Sequence, residues 1–154
     1  RLSNTAASSI DYRGILKTPA LTTLTTAGNI TVKYDVCRFA AAGPVTFRVE
    51  GAGTISSATY MDVIENGVTY GGSYTHTTTE TSVTVGSEAT SFDMTTAMLP
   101  SWTPGLNAVI KYWTRFTVIV TGATSATKIV WDTTGATETS AQLRCCIDNI
   151  SIRK

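Results

Sequence analysis

An all-β fold, two antiparallel sheets packed as a sandwich with jelly-roll topology, is what this 154-residue sequence predicts. Three observations lead there. Apolar and polar residues alternate with a period of two in run after run. The runs are short and separated by Gly-, Asn- and Pro-containing turns. No stretch has the pattern of a long amphipathic helix. Thr, about a fifth of the chain, suits the same fold, because β-branched side chains fit a pleated, half-exposed surface.

Taken in order, Ile30, Val32, Tyr34 and Val36 alternate with Thr31, Lys33 and Asp35 and predict one apolar face. Val45, Phe47 and Val49 repeat the pattern after Gly43-Pro44. Asn66-Gly67, between Val63-Ile64-Glu65 and Val68-Thr69-Tyr70, is the strongest hairpin signal. The Thr-rich stretch from Tyr74 to Thr84 is a polar loop entering a strand. Val83 with Val85, then Phe92 with Met94, give two shorter strands. One helical turn is expected near Thr95 to Leu99, ended by Pro100. Phe116, Val118 and Val120 alternate with Thr117, Ile119 and Thr121. Ile129-Val130-Trp131 is compact and apolar, as for a strand covered on both faces. Leu143, Cys145 and Ile147 share one face of the last strand, after which Ile150 and Ile152 fall in the opposite phase. That switch predicts a β-bulge at Asp148-Asn149. Trp113 and Trp131, both in strands, are expected in the core.

Residues 1–154 read as a single domain with no internal repeat or linker. Charged residues make up only 15% of the chain, which argues against solvated disorder. The net charge of +1, with no basic run, offers no footprint for nucleic acid. No apolar run reaches the roughly 18 residues of a membrane span. The chain opens Arg1-Leu2, without an initiator Met or a signal peptide, as in a mature or trimmed form. Of the three cysteines, Cys145 and Cys146 are neighbours on a strand and must point to opposite faces. A Cys145–Cys146 bridge is therefore not expected. Two readings stay open: all three are small buried hydrophobes, or Cys37 is bridged to one of the pair.

The C-terminal half carries a more specific pattern: Trp113-Thr114-Arg115-Phe116-Thr117-Val118, Val120-Thr121-Gly122-Ala123-Thr124, Thr127-Lys128-Ile129 and Arg144-Cys145-Cys146-Ile147-Asp148-Asn149-Ile150. With Gly14-Ile15-Leu16-Lys17-Thr18-Pro19-Ala20-Leu21 and Val45 to Val49 followed by Gly51-Ala52-Gly53, it resembles the jelly-roll domains of the galactose-binding-like superfamily. Many carbohydrate-binding modules belong there. The resemblance runs from about Gly14 to Ile152, and its motifs mark fold better than ligand. Cys145-Cys146 stands where that group often has aromatics, and the usual opening strand with its aromatic loop is absent or shortened before Arg1. The resemblance implies an extracytoplasmic domain of a bacterial secreted or surface protein. It also implies Asp148 as a contributor to a structural calcium site, whose shell of six to eight oxygens would have to be completed by Asp11 or loop carbonyls.

No catalytic constellation is present in the sequence. His76, the single histidine, lies in the polar run Tyr74-Thr75-His76-Thr77-Thr78. There is no G-x-S-x-G elbow and no H-E-x-x-H. Gly51 and Gly53 follow a strand but lead into no helix, unlike a dinucleotide fingerprint. Asp62, Glu65, Glu80, Glu88 and Asp93 are scattered, with no pair singled out for glycoside hydrolysis. Binding is the expectation. Trp102, in the Pro-flanked loop Leu99-Pro100-Ser101-Trp102-Thr103-Pro104-Gly105, and the group Tyr70, Tyr74 and His76 are the candidate ligand-binding residues. They offer rings for a sugar's C–H face beside hydroxyl and amide partners. Near-neutral charge favours a neutral sugar over a polyanion. The expected function is glycan or polysaccharide recognition without catalysis. The alternative is a structural or adhesive spacer that contacts protein, and exposure of Trp102 and Tyr74 divides the two.

Overall fold

A computed structural model describes residues 2–4, 14–39, 45–63, 78–95, 97–99, 101–102, 113–133 and 143–154. They form β1 (Leu2–Asn4), β2 (Ile15–Lys17), β3 (Gly28–Phe39), β4 (Val45–Glu50), β5 (Thr54–Val63), β6 (Thr81–Ser82), β7 (Ser91–Met94), β8 (Ser101–Trp102), β9 (Trp113–Ala123), β10 (Lys128–Asp132) and β11 (Leu143–Arg153). One sheet has the order β1-β11-β3-β9-β5-β6, with β8 beside the end of β3; the other is β2-β10-β4-β7. All pairings are antiparallel except β3 with β8. The chain changes sheet at most of its connections, so both sheets are assembled from distant segments.

The two sheets meet through the apolar phase of each strand. Ile30, Val32, Tyr34 and Val36 of β3 and Phe116, Val118 and Val120 of β9 come from one side. Val45, Phe47 and Val49 of β4 and Ile129 and Trp131 of β10 come from the other. Tyr34 stacks between Phe47 and Phe116, with ring centroids 5.5 and 5.4 Å away, and Trp131 meets it edge-on at 5.2 Å. This stack spans the sandwich and is worth more than its buried area alone. Phe92 and Met94 join it from β7, as their alternation predicts. Val130 is also fully buried, on the outer face of β10 opposite Lys17 and Arg48, so β10 is covered on both sides as expected.

Three expectations shift. Ile147 packs against the core only half-buried. Trp113 is half-buried rather than central, because the core-facing phase of β9 begins at Thr114 and places Trp113 on the opposite face. The strand expected around Val83 is the pair Thr81–Ser82, with Val83 buried just beyond it. The Asn66-Gly67 hairpin lies outside the described residues. Where the helical turn is expected, Met98 N and Leu99 N both donate to Thr95 O, at 3.1 and 3.0 Å, closing a hydrogen-bonded turn.

Threonine hydroxyls close the ends of the sandwich. Thr127 Oγ1 is fully buried; it accepts from Thr124 N at 2.8 Å and donates to Ala52 O at 2.7 Å, tying the β9–β10 turn to the β4–β5 turn. Gly51 makes that contact possible, since at φ 87° a Cβ would sit 2.2 Å from Ala126 O. Thr18 Oγ1 accepts from Ile129 N, and Thr114 Oγ1 donates to Met98 O, both at 3.0 Å. On the outer face of the smaller sheet, Arg48 reaches Glu50 at 3.2 Å and Asp132 at 3.1 Å, and Lys17 pairs with Glu50. Lys17, as hydrogen-bond donor first and as a charge second, holds the Glu50 carboxyl below its ordinary value.

The Tyr34 hydroxyl donates to Met94 Sδ at 3.5 Å deep in the core. Burial raises its pKa well above the ordinary phenol value; Trp131 opposes this weakly. A raised folded-state pKa gives stability that is complete below the unfolded-state value, about 10, and lost above it. Tyr34→Phe should therefore flatten the fall of stability between roughly pH 9 and 11. Denaturant midpoints measured across that window check it, and parallel curves for the two proteins would refute it.

Candidate functional site

The outer face of the larger sheet carries a recessed polar surface, and cross-strand register builds it. On β3, Thr31 and Lys33 occupy the outward phase between core residues. On β11 the bulge between Asp148 and Ser151 resets the alternation, with Asn149 at φ 51°. Ser151 then faces Lys33 and Arg153 faces Thr31, on the same outward side, while Ile152 turns to the core opposite Val32. Ile150, within the reset, is 42% exposed. Thr31, Lys33, Ser151 and Arg153 together line a shallow groove of about 270 Å³. Arg153 Nε donates to Ser151 Oγ at 3.3 Å, and neither Lys33 nor Arg153 forms an ion pair among the described residues.

A fixed polar network borders the groove. Asp35, buried at 2% exposure, accepts from Arg115 Nε at 2.8 Å and Arg115 Nη2 at 2.9 Å, a two-point pair across β3 and β9. Asn149 Nδ2 donates to the same carboxylate at 2.8 Å. The pair raises the Arg115 pKa, chiefly through the hydrogen bond to Asp35, against the opposing effect of burial. The bulge residue is thereby locked to the central strand, which fixes the outward aim of Ser151 and Arg153. Two cations and two hydroxyls on a rigid sheet can hold a small polar ligand that carries negative charge or a cluster of oxygen acceptors.

Among the described residues, neither Trp102 nor Asp148 lines this groove. Trp102 does not sit in a loop: its backbone forms β8 and pairs in parallel with Phe39 at the end of β3. The Pro-flanked composition signals a turn, but pairing with a strand about sixty positions earlier has no local signature. Tyr70, Tyr74 and His76 lie outside the described residues. Asp148 is exposed, and its Oδ1 accepts from Asn149 N at 2.8 Å, the arrangement of a bulge residue bonded to neighbouring backbone. Among the described residues no three His, Cys, Asp or Glu side chains converge as metal ligands, so the calcium site implied for Asp148 gains no partners there; Asp11 lies outside the described residues. The groove was not foreseen. Its signal was the bulge itself, which lets Ser151 and Arg153 share the outward phase of Thr31 and Lys33.

No protein-family model matches the chain, and neither the curated proteins nor the solved structures searched contain a match to it.

Proposed function

We propose that this chain is a non-catalytic glycan-recognition domain of a bacterial secreted or surface protein, built as a galactose-binding-like jelly roll. The groove between β3 and β11 carries the reading: it is open, polar and held by a rigid sheet, with Lys33 and Arg153 exposed and in no ion pair among the described residues. Sheet-to-sheet alternation of the chain supports the jelly-roll connection. Because the groove is cationic although the whole chain is nearly neutral, a carboxylated or sulfated glycan fits it better than a neutral one.

Titration of acidic and neutral polysaccharides against wild type and a Lys33→Ala/Arg153→Ala double variant tests this. Acidic chains should bind modestly, lose at least about tenfold in affinity in the variant, and weaken as salt rises. Binding that survives the double variant would move the site away from the groove. A second reading, a structural or adhesive spacer, has its own observation: Ile15 and Leu16 of the terminal strand β2 are 53% and 38% exposed. An apolar strand at a sheet edge is suited to pairing with another chain. Failure to bind any glycan would favour that reading.

A further inference from the structure

Cys37 and Cys146 are direct register partners on the antiparallel strands β3 and β11. Opposed residues in such a ladder lie about 4.5 to 5.5 Å apart at Cα and share a face, within the span a disulfide bridges. Cys37 is buried and Cys146 half-buried on the outer side of the sheet, whereas Cys145 points into the core. All three are thiols in this structure.

We infer that Cys37 and Cys146 are an oxidisable pair that forms a cross-strand disulfide on exchange with a disulfide reagent, leaving Cys145 as a core thiol. The more accessible Cys146 thiolate attacks one sulfur of the reagent, forming a mixed disulfide and expelling the first thiolate. Cys37 Sγ, after loss of its proton, then attacks Cys146 Sγ and expels the second. Two protons and two electrons leave the protein, and the reagent is reduced to two thiols. The bridge would join the central strand of the sheet to its neighbour and close a loop of roughly a hundred residues, a long one for a single cross-link. This does not rest on the glycan reading.

The native protein is incubated with oxidised glutathione, quenched at low pH, denatured and treated with a thiol label. Three labelled thiols before oxidation should become one, and fragmentation of the linked peptides should place the bridge between Cys37 and Cys146. The Cys145→Ser variant should still form it; Cys146→Ser should not. The oxidised form should melt on the order of 10 °C higher, reversed by dithiothreitol. Wild-type peptide mapping decides even if a variant misfolds. Three thiols persisting after oxidation, a Cys37–Cys145 link or bridging only between molecules would each overturn the inference.

Discussion

Phe47→Ala should cost about 3–5 kcal/mol of folding stability, a large share of the ~5–15 kcal/mol a domain of this kind has. Phe47 has no exposed surface and lies at the crossing of the two sheets. Its ring meets Tyr34 at 5.5 Å, Phe92 at 5.4 Å and Trp131 at 6.0 Å. Those neighbours are large rings from three strands, and a cavity among them closes only if strands move. Phe92→Ala removes the same atoms from β7, a terminal strand of the smaller sheet where 8% of the residue is exposed. There water and backbone shifts relieve part of the cavity, so the cost should be smaller. Guanidinium unfolding of both variants checks the order. A loss below about 1 kcal/mol for Phe47→Ala would mean the sheets are not joined through this stack.

The second large effect is asymmetric. Arg115→Ala should destabilise by roughly 2–4 kcal/mol, and Asp35→Ala by about half as much. Removing Arg115 leaves a buried carboxylate with the Asn149 amide as its remaining side-chain donor among the described residues. Removing Asp35 leaves a guanidinium whose side chain is already 44% exposed, and water takes over its donors. Equal losses, or a larger one for Asp35→Ala, would show that the pair acts through packing instead of through the buried charge.

Most of the fold was legible because its core obeys a period of two. The alternation around Tyr34 and around Phe116 places Ile30, Val32, Tyr34, Val36, Phe116, Val118 and Val120 in the core, and the unbroken run at Ile129-Val130-Trp131 marks the strand covered on both faces. The phase change after Ile147 reveals the bulge. What stayed hidden depends on which strands become neighbours. Trp113 looks like a core tryptophan until its phase on β9 is fixed by pairing with Val63. Trp102 looks like a loop residue until β8 docks on Phe39. The groove needs Lys33 opposite Ser151, a match between segments far apart in sequence that neither announces alone. Tyr70, Tyr74 and His76 were chosen for their chemistry, which says nothing of where a long Thr- and Gly-rich segment puts them.

The order of strands in the larger sheet also bears on how the protein reaches its native state. β3 is made before its antiparallel neighbours β9 and β11, which lie some eighty and more than a hundred residues further along. During synthesis at the ribosome the central strand is finished long before either flank exists, and its apolar row Ile30, Val32, Tyr34 and Val36 has no sheet to join. Few contacts are local, so loop closure dominates the barrier and folding should be slow for the chain's size. In that interval an apolar strand with both edges open is the segment most exposed to mispairing with another chain. Lys33 and Asp35, set into that row on its outward phase, place opposite charges on a strand that waits some eighty residues for its first antiparallel partner.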